Sequence, residues 1–134
     1  MLTYLWVAIG GALGSMSRFW LNGIVSRHFG ESFPWGTMVI NVTGSFVIGF
    51  IGALAMPEGR LDPRSRAFVT QFFMIGVCGG YTTFSSFSLQ TLSLLRDREW
   101  LYAGGNMIFS VVFCMIAVGL GYFCGAAFNS IKGA

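Results

Sequence analysis

Apolar residues run along this chain in four long blocks separated by three short polar breaks. About 20 apolar residues is the length a helix needs to cross the hydrocarbon of a bilayer. The blocks therefore predict helices over roughly Leu2 to Val25, Trp35 to Met56, Arg66 to Leu95 and Trp100 to Phe128. The first break reads His28-Phe29-Gly30-Glu31-Ser32-Phe33-Pro34, and the second Pro57-Glu58-Gly59-Arg60-Leu61-Asp62-Pro63. In the second, Asp62 and Pro63 fit an N-cap and a first helical residue. Arg96-Asp97-Arg98-Glu99 is the last and shortest. Trp6, Trp35 and Trp100 fall near span ends, where an amphipathic ring favours the headgroup zone. The pattern predicts an all-α membrane protein, with residues 1–134 forming a single transmembrane domain of four helices.

The third block departs from a plain span. It reads Gly79-Gly80-Tyr81-Thr82-Thr83-Phe84-Ser85-Ser86-Phe87-Ser88 in its middle, too polar for a lipid-facing rod. Adjacent glycines can end one helix, and Thr82 or Thr83 can cap the next, which predicts a break over residues 79–82. A helix interrupted at membrane depth lines a cavity or binds an ion. Unwound carbonyls and the first half's C-terminus suit a cation, while the second half's N-terminus favours an anion. The sequence pattern leaves both open.

Polar stripes accompany the break. Thr37, Asn41 and Ser45 are four apart and share one face of the second helix; Asn106, Ser110 and Cys114 do so on the fourth. Phe84 and Phe87, three apart, share a face of the restarted helix. Such a pair is ordinary packing by itself, but ring edges are electropositive and, beside neutral donors, suit an anion path. Small residues four apart (Gly10 and Gly14, Ser45 and Gly49, Gly121 and Gly125) predict close helix packing, for which membrane helices use glycine.

Composition narrows the function. Of 134 residues 54% are hydrophobic and only 10% charged, more apolar surface than a soluble core requires. The N-terminus lacks a basic lead and a clean cleavage site, and so reads as the first span rather than a signal peptide. All five acidic residues lie in the breaks, where a proton-coupled pump would place a carboxylate mid-membrane. Arg18 is the one charge within a span, either snorkelling to the interface or forming an anion-attracting vestibule. Net charge is +3 with scattered basic residues, which argues against nucleic acid as a partner. Cys78, Cys114 and Cys124 sit in apolar runs without metal-ligand spacing. Arg60, Arg64, Arg66 and Lys132 on one side balance Arg27, Arg96 and Arg98 on the other, so the positive-inside rule selects no orientation. A chain inserting both ways can pair with its inverted twin.

The string Gly79 to Ser88 closely resembles the third-helix signature of the Fluc (CrcB) fluoride channels. Gly10-Gly11-Ala12-Leu13-Gly14 followed by Arg18 resembles that family's first helix, and Trp35-Gly36-Thr37 followed by Asn41 its second. The resemblance implies an antiparallel, dual-topology homodimer in the bacterial cytoplasmic (inner) membrane, exporting fluoride passively through two pores and giving fluoride resistance. It implies a central structural sodium (Na+) held by backbone carbonyls, by position those of Gly79 and Thr82. Phe84, Phe87, Asn41 and Ser110 would line the pore with Thr83 and Ser85, and Arg18 would stand at the vestibule. Gln90 occupies a place where many members have glutamate, and Asn106 and Cys114 places where some have tyrosine and serine. Competing readings are a small four-helix proton-coupled multidrug or metabolite exporter, disfavoured by the missing carboxylate, and a non-transporting assembly subunit.

Overall fold

A computed structural model of the chain describes residues 1–57, 59 and 61–131, and among them every regular element is helical. Arg60 and Lys132, part of the charge count across the two sides, lie outside the described residues. The elements are α1 (Leu2–Phe29), α2 (Trp35–Leu54), α3 (Pro63–Phe68), a π-helical segment (Val69–Cys78), α4 (Gly79–Tyr81), α5 (Phe84–Arg96) and α6 (Trp100–Ile131). From α3 to α4 the backbone is continuous helix. The Asp62 carboxylate accepts the Arg64 and Ser65 N–H groups at 3.1 and 3.2 Å, capping α3 ahead of Pro63 as the sequence predicts.

The predicted break sits slightly later than expected. Gly79 and Gly80 stay helical, and the chain leaves the helix at Thr82 (φ −78°, ψ 157°) and Thr83 (φ −152°, ψ 113°). The glycines have a different task. A Cβ on Gly80 would collide with the Gly11 backbone, so here glycine permits close approach rather than unwinding.

Two parallel pairs of helices make the body. α1 runs alongside the π segment: a Cβ at Gly10 or Gly14 would meet the carbonyl of Phe72 or Val77. At its start Trp6 stands edge-on to Phe68, centroids 4.9 Å apart. α2 runs alongside α6, where Gly49 faces Val118 and Gly121 and Gly125 face Phe46 and Phe50 with equally little room. All three small-residue pairs read from the sequence thus contribute a glycine to a backbone-to-backbone contact. Between bundles of apolar side chains in lipid no hydrophobic driving force remains, so association rests on such close van der Waals packing.

Among the described residues, three helices are long and apolar enough to cross a membrane: Trp35–Leu54, Pro63–Arg96 and Trp100–Ser130. On α6 the apolar side chains of Ile108, Met115 and Phe123 are exposed. The chain is an all-α, multi-pass membrane protein. α1 spans 28 residues, ample in length, but Ser15, Ser17 and Arg18 make it less apolar than the other three.

Candidate ion site at the broken helix

The break between α4 and α5 is held open by a side chain 42 residues away. Asn41 on α2 donates from Nδ2 to the Thr83 carbonyl at 3.0 Å and accepts the Thr83 N–H on Oδ1 at 2.8 Å. The amide therefore pairs with Thr83 as a neighbouring strand would, satisfying both backbone groups that helix would otherwise use. The Thr83 N–H that would close a turn onto Gly79 O is diverted by this contact.

Each half of the break is then finished locally. Thr82 folds back on the end of α4, its N–H and hydroxyl both donating to Cys78 O at 2.9 Å. Thr83 caps α5: its Oγ1 accepts the Ser86 N–H at 3.2 Å and donates to the Ser86 hydroxyl at 3.1 Å. A single capping bond leaves the Phe84 and Ser85 N–H groups without intrahelical acceptors, at the positive end of the α5 dipole. Carbonyls at the end of α4 turn the other way, toward α1. Ser15 Oγ donates to Gly80 O and Arg18 Nη1 to Thr82 O, each at 3.4 Å.

A cleft of about 280 Å³ opens at this point. Asn41, Ser45, Thr82, Thr83, Phe84, Phe87, Ser110 and Cys114 line it, so one residue set joins α2, the break, α5 and α6. Phe84 and Phe87 stand with ring centroids 5.2 Å apart and planes tilted by 46°. Phe84 is 76% exposed, its ring projecting from the chain's surface. No Asp, Glu, His, Lys or Arg lines the cleft; its polar groups are hydroxyls, the Asn41 amide, the Cys114 thiol and backbone.

The sequence-predicted residues distribute unevenly around this cleft. Phe84, Phe87, Asn41, Ser110 and Thr83 come together in its wall. Ser85 is exposed outside the lining, its hydroxyl 3.2 Å from Thr83 Oγ1. Arg18 lies on the α1 side against Thr82 O, and exposed Gly79 one turn back. A wider cleft of about 630 Å³ lies where the α1–α2 and α5–α6 loops meet, walled by Asn22, Gln90 and Ser93 and rimmed by Glu31, Asp97 and Glu99. Three carboxylates repel an anion, so size does not make this the better anion site. Gln90 Oε1 is buried in that wall without a hydrogen-bond partner.

Thr91, which joins the Asn106–Ser110 stripe into one buried set, escaped the sequence reading. Asn106, 1% exposed, donates from Nδ2 to Thr91 Oγ1 at 2.8 Å, and Thr91 donates to Phe87 O at 2.8 Å. Ser110 Oγ donates to Asn106 Oδ1 at 3.3 Å. For Thr91 itself the only signal was its place four residues after Phe87, and a lone threonine in a hydroxyl-rich helix carries little.

Comparison with known proteins places this arrangement. Residues 5–122 match the family described as CrcB-like protein, Camphor Resistance (CrcB). The chain belongs to the CrcB family. A CrcB relative from Opitutus terrae, named fluoride-specific ion channel FluC, is 56% identical over 133 residues, 99% of each chain. That of Methylocella silvestris, with the same name, is 55% identical over 133 residues, 99% of this chain and 100% of its own. A third, from Rhodospirillum rubrum, also so named, is 56% identical over 125 residues, 90% of this chain and 92% of its own. The CrcB match begins early in α1 and ends within α6.

Proposed function

We propose that this chain is a fluoride channel, carrying fluoride passively out across the bacterial cytoplasmic membrane and so lowering cytoplasmic fluoride. One observation carries the reading: relatives named fluoride-specific ion channels match end to end at more than half identity. The charge-free cleft at the broken helix supports it.

Fluoride is small and strongly hydrated, so leaving water costs several kcal/mol or more unless donors replace the lost shell. The cleft offers replacements that are neutral. The N–H groups at the start of α5 lie at the positive end of that helix's dipole, beside the cleft that Thr83 and Phe84 line. Asn41 keeps a second amide proton that its bond to Thr83 O does not use. The edges of Phe84 and Phe87 present their positive rim. A fixed positive charge would hold the anion; neutral donors let it leave, which conduction requires. Arg18, one turn from the cleft on α1, adds a positive field without entering it. No bond is made or broken, and the driving force is the fluoride gradient alone.

The working unit is an antiparallel homodimer with two pores, α1 acting as the fourth span in lipid. The exposed Phe84 supports a partner on that face. A central sodium fits the donors in kind. No group of three or more His, Cys, Asp or Glu gathers among the described residues, whereas Thr82 is extended and Thr83 N–H is turned away from Gly79 O. Carbonyl oxygens are what a hard cation takes. Gly79 and Thr82 from both chains would hold it, and bound there it would neutralise facing carbonyl dipoles, a structural role. Within one chain the Thr82 carbonyl is shared with Arg18 at 3.4 Å, a long contact that yields to a stronger ligand.

Purified protein in liposomes tests the reading. Fluoride loaded inside should escape when a potassium ionophore supplies charge balance, with no imposed proton gradient. Efflux that appears only with a proton gradient would indicate coupled transport instead.

A further inference from the structure

The buried chain Ser110–Asn106–Thr91–Phe87 has a fixed direction, and it can be read from one end. The Phe87 carbonyl can only accept, so the single proton of the Thr91 hydroxyl is committed to it at 2.8 Å. Thr91 Oγ1 must then accept from Asn106, which turns the Asn106 NH₂ toward it at 2.8 Å. That leaves Asn106 Oδ1, an acceptor, facing Ser110, so the Ser110 proton points inward across 3.3 Å. Asn106 is 1% exposed and Thr91 7%, so no water competes for these bonds. Ser110 lines the cleft, and what it shows there is an oxygen with lone pairs.

We propose that Asn106, anchored by Thr91, is a positioning residue that denies the Ser110 proton to the anion. Ser110 is a pore wall and not a fluoride donor in the resting network, and its outer bond, the longest of the three, is where the network yields. The consequence is kinetic. An extra hydroxyl donor would hold fluoride longer, whereas a withheld one keeps the site shallow. The inference rests on the fluoride-channel reading, and it deepens that reading by naming what sets the site's affinity.

Two variants release the proton by different routes. Asn106→Leu removes the acceptor, so Ser110 is free to donate into the cleft. Thr91→Val removes the anchor, so the Asn106 amide turns over, offers NH₂ to Ser110, and again frees the Ser110 proton. Each should lower the half-saturating fluoride concentration by roughly threefold or more, the worth of one hydrogen bond to an anion, and lower maximal flux. In a Ser110→Ala background both shifts should vanish. Thr91→Ser, which keeps the donor and acceptor, should behave as wild type.

A merely structural role for Asn106 would lower flux without moving half-saturation, or would move it equally with and without Ser110; either result overturns the proposal. Should Asn106→Leu and Thr91→Val fail to fold, Ser110→Ala alone decides. Removing an oxygen that faces the anion with lone pairs should tighten half-saturation, and a severalfold weakening would contradict a withheld proton. Wild-type liposomes that pass no fluoride would sink the channel reading, and this proposal with it. Conducting wild type with unmoved variants sinks the proposal alone.

Discussion

Asn41 does two jobs that one substitution can separate. Its amide closes both backbone groups of Thr83, and the same residue lines the cleft with a second amide proton left over. Asn41→Asp keeps the acceptor for Thr83 N–H but sets a carboxylate oxygen against Thr83 O, leaving a part-buried carbonyl unsatisfied. It should abolish fluoride flux in liposomes and lower stability by about 1–3 kcal/mol, read as a fall in thermal midpoint in detergent. Phe84→Ile removes a ring edge from an exposed position and leaves every hydrogen bond at the break intact. Flux should be lost while the melting midpoint holds, and unimpaired flux would remove the rings from the pore.

Residues of this kind were partly visible beforehand. The stripe Thr37, Asn41, Ser45 and the pair Phe84, Phe87 follow from helical spacing, and spacing survives folding. The partner of Asn41 does not: only the fold brings position 41 to position 83. The break was therefore expected over residues 79–82, opening at the local Gly79-Gly80 signal, while the structure puts it at Thr82–Thr83, where a long-range contact takes the N–H away. The direction of the Ser110–Asn106–Thr91 chain is likewise a property of packing between α5 and α6, with no trace in periodicity.

Helix packing here is set by glycine, and glycines are not equivalent. A Cβ at Gly121 would strike the Phe46 carbonyl, whereas at Gly119 or Gly104 it would meet nothing within 4 Å. Gly121→Val should destabilise by about 1–3 kcal/mol or more through separation of α2 from α6. Gly119→Ala should be neutral to stabilising by up to about 1 kcal/mol, since Gly weakens a helix interior. Thermal unfolding of the two in the same detergent makes the comparison. The turn between α5 and α6 offers a gain. Arg98 adopts φ 62°, the left-handed region, where it donates its N–H to Leu95 O at 3.2 Å. Arg98→Gly should raise stability by about 1 kcal/mol, because a Cβ is strained there. The α3 cap responds to pH. Hydrogen bonds from Ser65, side chain first, hold the Asp62 carboxyl below its ordinary value. Its contribution is present above the ordinary carboxylate range and is lost as pH falls through the lowered folded-state value. Among the elements, the four blocks and the Asp62-Pro63 start were legible in apolar run length and capping chemistry. The π-helical segment Val69–Cys78 was not, because nothing in its residue types distinguishes it from an α-helical span.

As a whole the molecule is an apolar body, and the charge-free cleft beside the broken helix opens on the surface of the single chain. Sodium bridging the carbonyls of two chains would link cation content to assembly. Replacing sodium by a large organic cation should lower the dimer's thermal midpoint and promote dissociation, while indifference would remove the central ion. The most direct test of the account is fluoride efflux from liposomes, followed with a fluoride electrode under a potassium ionophore and no proton gradient. Wild-type protein should release trapped fluoride, and Phe84→Ile protein, equally folded, should not. Retention of fluoride by wild type, or equal release by both, would contradict a neutral, phenylalanine-edged path beside the broken helix.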